Sequence, residues 1–266
     1  MKRKLGINIE CIGGTEPRLA LELIKAAGFE SITAMASSEE YVLSVKDAAD
    51  ELGLDFPFIH SPIIGESEMW REGEGYLPIL EGKKRAVDCA ALAGVPAVVV
   101  HVSSGWNPPP VCDAGLSRYD ELVEYAEARG VIIAFENVRS IADLATLAER
   151  YAGRGSVRFC FDCGHEYGFT ASVSWLDIFR DRLFATHLHD NFGRDPFDYE
   201  SNPDLHLLPF DGSYDFPSMM RRLDLYGFEG ALTFEVFQSK RAEYSALTRE
   251  AFLALAYERA VRLASL

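Results

Sequence analysis

The sequence predicts an α/β fold, a closed (β/α)8 or TIM barrel that residues 1–266 form as a single domain. Short apolar segments alternate with longer amphipathic segments from one end of the chain to the other. The length of 266 residues is close to the ~250 that such a barrel typically needs. Apolar residues make up 48% of the chain, enough for a large core, and no linker or change of composition divides it.

The predicted strands are apolar with little alternation, which is typical of parallel strands covered on both faces. Eight such units favour a closed barrel over an open doubly wound sheet. The strand segments are Leu5–Glu10, Ser31–Met35, Phe56–His60, Ala97–Val102, Ile132–Asn137, Arg158–Asp162, Ala185–His189 and Leu232–Phe237.

The predicted helices lie between these strands, and several of them end in glycine, a common signal for a helix C-terminus. They cover residues 16–28, 38–53, 79–94, 116–130, 141–153, 172–182, 216–227 and 242–264.

Two connections are longer than the others, Ser61–Tyr76 after the third strand and Asn191–Phe216 after the seventh. Both leave the carboxyl end of a strand, so we expect them to overhang the mouth of the barrel as lids or substrate walls. The first is rich in Glu and Gly and carries Trp70, and it is equally compatible with a solvated surface loop.

The composition points to a cytoplasmic protein that does not bind nucleic acid or a membrane. The formal net charge is −15 and no basic run occurs, whereas nucleic-acid binding relies on Lys and Arg contacts to phosphates. No apolar stretch approaches the ~20 residues of a membrane span, and the segment MKRKLGINIE lacks an apolar signal region. The five cysteines indicate a reduced protein. Cys160 and Cys163 have the spacing of a redox motif, but a strand would point them to opposite faces, so we expect no disulfide there.

The histidines are the most informative residues, because all six fall at or just after the ends of strand segments and none lies in a predicted helix. Side chains at the carboxyl ends of barrel strands point into the mouth, where barrel active sites lie. The histidines are His60, His101, His165, His187, His189 and His206. Three carboxylates occupy equivalent positions, namely Glu136, Asp162 and Glu235.

Four adjacent predicted strands, the fifth to the eighth, bring Glu136, Asp162, His187 and Glu235 towards one point. Each residue alone could be a helix cap, a salt-bridge partner or a structural histidine. Only the occurrence of all four at adjacent strand ends indicates a metal site. Three carboxylates so close together would repel each other unless a cation or shared protons neutralised them. Oxygen and nitrogen donors of this kind suit Mn, Mg, Co or Zn, so we predict one divalent metal ion.

The order of the motifs resembles that of the xylose-isomerase-like barrels. His-Ser-Pro follows the third strand, a His ends the fourth, Glu-Asn follows the fifth and Asp-x-x-His follows the sixth. His-Leu-x-Asp follows the seventh, then Asp-x-His with a Pro-x-x-Gly-like turn, and a Glu ends the eighth. This superfamily includes sugar isomerases and epimerases of the tagatose/psicose type, relatives of inosose dehydratase, and endonuclease IV.

The resemblance implies a metal-dependent isomerase or epimerase of a sugar, a sugar phosphate or a polyol ketone. The metal ligands would be Glu136, Asp162, His187 and Glu235, with His187 preferred to His189 because Asp190 lies three residues after it. Glu136 and Glu235 would also be the catalytic acid/base pair that moves a proton α to the carbonyl, through an enediolate that the metal stabilises. Substrate-binding residues would be His60, His101, His165, His206, Arg139 and Trp106, with Trp70 as a further candidate wall.

Two alternatives remain open. An endonuclease IV-like phosphodiesterase would bind up to three Zn ions, with His60, His101, His165, Asp204 and His206 as the additional ligands. Against it, Val-Ser-Ser follows His101 where that nuclease has Pro-Gly-Ser, and no Gly-rich stretch follows Glu136. An inosose-dehydratase-like lyase is the other alternative. The expected partner is a small sugar, and a homo-oligomer is possible. Gly193, Arg194 and Gly212 lie where barrels often hold phosphate, although a neutral substrate fits equally well.

Overall fold

Eight parallel strands form the barrel in the computed structural model, which describes residues 3–198 and 201–266. The strands are hydrogen-bonded in the order β7-β6-β5-β4-β3-β2-β1-β8. A parallel bridge between Leu188 and Phe234 brings the two ends together and nearly closes the cylinder. The strands are β1 (Leu5–Asn8), β2 (Ser31–Met35), β3 (Asp55–His60), β4 (Ala97–His101), β5 (Ile132–Glu136), β6 (Val157–Asp162), β7 (Leu183–His187) and β8 (Leu232–Phe234). The predicted TIM barrel is therefore confirmed, and each predicted strand overlaps an observed one.

The helices surround the strands as predicted, with two differences described below. They are α1 (Pro17–Ala27), α2 (Glu39–Leu52), α3 (Leu77–Ala93), α4 (Asp113–Glu127), α5 (Ile141–Arg150), α6 (Cys163–Phe169), α7 (Trp175–Phe179), α8 (Phe216–Leu225), α9 (Ala242–Ser245) and α10 (Arg249–Ala264). Among the described residues, no helix combines the length and the apolar character that a bilayer span requires.

Helix α6 was not predicted, and it corrects two statements made from the sequence. It begins directly after β6, where the Asp162 carboxylate accepts a hydrogen bond from the backbone N–H of His165 at 2.6 Å. His165 therefore lies inside a helix, so the prediction that every histidine lies outside helices was wrong. Cys163 is the first residue of α6 and not part of a strand, so the reason given against a disulfide was wrong as well. The five cysteines are free.

The predicted last helix, residues 242–264, is divided into α9 and α10. The division lies at Thr248, whose side-chain oxygen accepts a hydrogen bond from Ala251 N at 3.2 Å and so caps α10. A threonine that serves as a helix N-cap has an extended backbone, which interrupts a helix running through it.

The interior of the barrel contains mostly small side chains below the carboxyl ends of the strands. This inner cluster consists of Phe58, Ala97, Val99, Ala134, Cys160 and Ala185. The Phe58 ring lies 5.7 Å from the ring of His187 and separates the apolar interior from the polar mouth. Large apolar residues instead fill the layer between the strands and the helices.

The connection Ser61–Tyr76 is anchored to the barrel through residues 66–70, whereas residues 63–65 and 71–75 are exposed to solvent. Glu66 and Lys83 form a buried ion pair at 3.0 Å, each side chain only 1% exposed. The Arg118 guanidinium donates to the carbonyl of Met69 at 2.8 Å. Trp70 is buried and donates its indole N–H to Val102 O at 2.8 Å, so Trp70 is a packing residue. This connection is a fixed wall of the mouth.

The connection Asn191–Phe216, of which residues 199 and 200 lie outside the described residues, is organised around Asp190. The Asp190 carboxylate accepts hydrogen bonds from the backbone N–H groups of Phe210, Gly212 and Tyr214 at 2.9 to 3.0 Å. A Cβ atom at Gly212 would lie 2.4 Å from Asp190 Oδ1, so only glycine fits there. This arrangement brings Asp204 and His206 back over the barrel mouth.

Candidate metal site

Glu136 is the centre of the polar cluster. It ends β5, its side chain is fully buried, and four imidazoles surround its carboxylate. The Nε2 atoms of His60 and His101 lie 3.1 and 3.2 Å from Oε2. The Nδ1 atoms of His165 and His187 lie 3.2 and 3.3 Å from Oε1. These side chains come from β3, β4, α6 and β7, so the barrel mouth brings together residues far apart in the chain.

The four predicted metal ligands meet in space. One ligand atom each from Glu136, Asp162, His187 and Glu235 lies within 4.8 Å of the others, and we call this group the tetrad. His187 Nδ1 lies 3.5 Å from Glu235 Oε2, so the imidazole stands between the two glutamates. The separation is suitable for a single divalent cation, and their role as ligands remains a proposal.

Asn137 fixes the position of Asp162 at the end of β6. Its side-chain amide donates to Asp162 O at 2.7 Å, and its side-chain oxygen accepts from Asp162 N at 2.8 Å. This pair of hydrogen bonds ties the end of β5 to the end of β6. The Asp162 carboxylate is thereby held beside that of Glu136.

Three further donor sets adjoin the tetrad among the described residues, one of them being Glu136, Cys160 and His187. The other two contain every additional ligand that the sequence suggested. The His60 set consists of His60, His101 and Glu136. The His206 set consists of His165, His189, Asp204 and His206. His189 was missed as a site residue, because the spacing to Asp190 favoured His187. Its position at the end of the predicted seventh strand was the signal that could have identified it.

Three of the histidines are oriented by backbone carbonyls in the manner of metal ligands. Each donates its Nδ1–H to a main-chain oxygen, which leaves Nε2 directed towards a carboxylate. The pairs are His60 with Ser61 O at 2.7 Å, His165 with Asn137 O at 3.0 Å, and His206 with Glu235 O at 2.9 Å. Such outer contacts fix the ring and its tautomer before a metal binds.

Several buried polar atoms of the cluster lack a hydrogen-bond partner among the described residues. Buried polar atoms are normally satisfied, since an unpaired one costs about 1–3 kcal/mol. Here they are Glu136 Oε1, His187 Nδ1, His189 Nδ1 and Asp204 Oδ1. All four are atoms that coordinate cations, so the residues fit a divalent metal.

The pKa values of His187 and Glu136 depend on their burial and on the charged groups around them. Burial alone would lower the pKa of His187, but Cys160, Glu235 and Glu136 raise it well above its ordinary value. Burial would raise the pKa of Glu136, but the imidazoles of His187 and His101 hold it well below its ordinary value. A proton on His187 thus balances the neighbouring carboxylates when no cation is bound, and metal binding at this imidazole would release it.

A cavity of about 410 Å³, the mouth cavity, lies directly above the cluster. Several predicted substrate-binding residues line it, namely His101, His165, His206 and Arg139, together with Asp204 and Glu235. Glu136 lies beneath the cavity, in contact with His101 and His165. Trp106 stands beside it, with its ring 5.0 Å from the Arg139 guanidinium.

Glu10 is a further carboxylate near the site that was not predicted from the sequence. It lies just after β1, and its Oε1 accepts a hydrogen bond from Met35 N at 2.8 Å. Burial raises the pKa of Glu10, and the nearby charge of Glu235 raises it further. Glu10 ends the first predicted strand, so the strand-end criterion could have found it.

The predicted phosphate position after β7 has its main-chain donors already in use. Gly193 N donates to Asn191 Oδ1 at 2.7 Å, and Gly212 N donates to Asp190 Oδ2 at 2.9 Å. These two N–H groups therefore hold the connection together and are not directed at a ligand.

Comparison with known proteins agrees with this architecture. The family model described as "Xylose isomerase-like TIM barrel" matches residues 21–256. The chain belongs to this family. An uncharacterised protein of Sinorhizobium fredii is 31% identical over 215 residues, which cover 72% of this chain, and the chain spans 65% of the length of that relative.

Several solved structures have the same barrel fold as this chain. A xylose isomerase domain protein from Planctomyces limnophilus has a TM-score of 0.76 at 16% identity and covers 99% of this chain and 98% of its own. The 3-keto-D-glucoside 4-epimerase of E. coli has a TM-score of 0.73 at 17% identity, with all of both chains covered. The D-psicose 3-epimerase of Clostridium cellulolyticum H10 has a TM-score of 0.73 at 13% identity, with 98% of each chain covered. At such identities the likeness establishes the fold alone.

Proposed function

We propose that this protein is a divalent-metal-dependent isomerase or epimerase of a small sugar, sugar phosphate or polyol ketone. The observation that carries the proposal is the tetrad, in which His187 lies 3.3 Å from Glu136 and 3.5 Å from Glu235 below the mouth cavity. The structural neighbours named above include two sugar epimerases, and this analogy supports the same class of reaction.

The size and charge of the protein also favour a small substrate. A cavity of about 410 Å³ is within the range of small-molecule sites, roughly 300–1,000 Å³. A net charge of −15 disfavours a polyanionic nucleic acid.

The tetrad would hold the metal ion, which when bound would act as a Lewis acid on a substrate carbonyl. Glu235 lines the cavity with its side chain 16% exposed, so it is suited to take the proton α to that carbonyl. Glu136, from beneath the cavity, would be the second member of the pair that returns a proton to the same or a neighbouring carbon. Arg139 and His165 would orient substrate oxygens from the cavity wall.

The test is solvent-proton exchange followed by NMR in D2O. The metal-loaded protein should exchange the α-proton of at least one member of a panel of ketoses and inositol-type ketones. Glu235→Gln and chelator-treated protein should not, whereas Glu229→Gln, an exposed carboxylate outside the site, should behave as the wild type. Absence of exchange with every compound would contradict the proposal, and loss of water instead of exchange would favour a lyase.

A second candidate is a multinuclear phosphodiesterase, favoured by the His60 and His206 sets that adjoin the tetrad. Two metal ions ~3.5–4 Å apart can clamp the attacking and leaving oxygens of a phosphodiester. Two or three ions per chain, with hydrolysis of a small chromogenic phosphodiester, would support this candidate. About one ion per chain supports the isomerase.

A further inference from the structure

Two polar atoms in the wall of the mouth cavity have no part in the proposed proton transfer. Arg139 Nε and Ser103 Oγ are both buried and lack a hydrogen-bond partner among the described residues. Both residues line the cavity, and Ser103 is only 2% exposed. The guanidinium of Arg139 has no free lone pair for a metal ion, so binding of a metal leaves its Nε unsatisfied.

The Arg139 guanidinium is held in a fixed orientation. It lies 3.9 Å from the ring of Phe169 and 5.0 Å from the ring of Trp106. The carboxylate of Asp204 is the nearby charge that stabilises it, but the ion pairs of Asp204 are with the histidines of the His206 set. The planar fork of Arg139 is thus pre-oriented without a carboxylate partner of its own in the described residues.

The segment that carries Ser103 is equally fixed. The neighbouring Ser104 N donates to Ser67 Oγ at 2.9 Å, and Ser67 Oγ donates to Ser104 O at 2.8 Å. The anchored wall Ser61–Tyr76 therefore holds the Ser103 hydroxyl at the cavity. Lys240 also lines the cavity, from the β8 side, and adds a second cation to its rim.

We propose that Arg139 and Ser103 form a seat for an oxyanion on the substrate, either a phosphate or a carboxylate group. The inference rests on the proposed function, because it takes the mouth cavity as the substrate site. A guanidinium fork matches both groups through two parallel hydrogen bonds, and a serine hydroxyl adds a third donor. With a neutral sugar, the half-buried Arg139 guanidinium would have only the carboxylate of Asp204 nearby, which is already paired with His165 and His206. An anion on the substrate supplies a counter-ion of its own.

Titration of inorganic phosphate into the metal-loaded full chain tests the seat. Arg139→Gln should weaken phosphate binding by tenfold or more, Arg139→Lys by less, and Ser103→Ala by a few fold. Arg221→Gln, which removes an exposed arginine on α8, should leave phosphate affinity unchanged. Wild-type affinity in both Arg139 variants would overturn the inference, since phosphate would then bind at the metal alone. If Arg139→Gln fails to fold, Arg139→Lys and Ser103→Ala carry the test.

The exchange reaction identifies the source of the anion. The wild type should have a higher kcat/KM for a ketose phosphate or a keto sugar acid than for the neutral ketose, and Arg139→Gln should lose that preference. A preference for the phosphate or for the acid assigns the group. Equal rates with the neutral ketose would overturn the inference and leave the proposed function intact. No exchange with any compound would contradict the proposed function, while the phosphate titration would still decide the seat.

Discussion

His189 Nε2 lies 3.1 Å from Oδ1 and 3.2 Å from Oδ2 of Asp162, so one imidazole contacts both oxygens of a tetrad carboxylate. The same nitrogen lies 3.8 Å from Asp204 Oδ1. His189 therefore connects the tetrad to the His206 set. Whatever changes its position should change how Asp162 is presented to a metal.

Replacing His189 should weaken metal binding at the tetrad. His189→Asn removes the ring that contacts Asp162, and loss of such an outer contact typically costs about 10–100-fold in metal affinity. The affinity can be measured by competition with a fluorescent chelator at pH 7.5. Wild-type affinity in this variant would mean that Asn137 alone orients Asp162.

Gly164→Ala should have the same effect without removing any polar side chain. A Cβ atom at Gly164 would lie 2.0 Å from His189 Cε1, so the ring must move away from Asp162. Gly153→Ala is the matched control, because a Cβ atom there meets nothing within 4 Å. We expect metal affinity to fall at least tenfold in the first variant and to stay unchanged in the second. Equal affinities in the two variants would contradict the role given to His189.

Replacing Asp143 should stabilise the protein above neutral pH. Burial raises the pKa of Asp143 to about 6, and both of its carboxylate oxygens lack a hydrogen-bond partner among the described residues. The folded state binds the proton of the Asp143 carboxyl more tightly than the unfolded state does. The stability that this proton contributes is therefore lost as the pH rises from about 4 to 6. Asp143→Asn should therefore raise the free energy of unfolding, measured with urea, by about 1–2 kcal/mol at pH 7.5 and by little at pH 4.

The exposed Asp47 provides the control for this measurement, since Asp47→Asn should show no such difference between the two pH values. The difference in free energy of unfolding between wild type and Asp143→Asn could also be the same at pH 4 and pH 7.5. That result would rule out the ionisation of Asp143 as its cause.

The buried ion pair of Lys83 and Glu66 should be necessary for the fixed wall Ser61–Tyr76. Lys83→Met leaves the Glu66 charge buried without a partner, which typically costs about 3–5 kcal/mol. The double variant Lys83→Met with Glu66→Leu removes both charges and should recover a large part of the loss in urea unfolding. If the double variant were less stable than Lys83→Met, packing and not charge would explain the effect.

The sequence predicted the barrel because strand and helix periodicities repeat regularly, and each predicted strand overlaps an observed one. It also predicted that Glu136, Asp162, His187 and Glu235 would meet, because the carboxyl ends of barrel strands share one face.

Helix α6 could not be predicted in the same way. It has only seven residues, including two glycines, so it shows no helical periodicity, and its cap by Asp162 depends on where β6 ends. The strand-end position of His189 makes it a candidate site residue, but the sequence could not show that His189 contacts Asp162 while His187 joins the tetrad. Only the path of the connection after β7, which brings Asp204 and His206 back over the mouth, gives His189 its neighbours.

The metal content of the purified protein and of its tetrad variants, measured by elemental analysis after reconstitution with Mn, Co or Zn, tests most directly whether the tetrad holds a metal ion. The wild type should retain at least one ion per chain and gain melting temperature on binding it. Glu136→Gln, Asp162→Asn, His187→Asn and Glu235→Gln should each lose that ion and the exchange activity. A wild type that retains no metal and shows no shift in melting temperature would contradict the account.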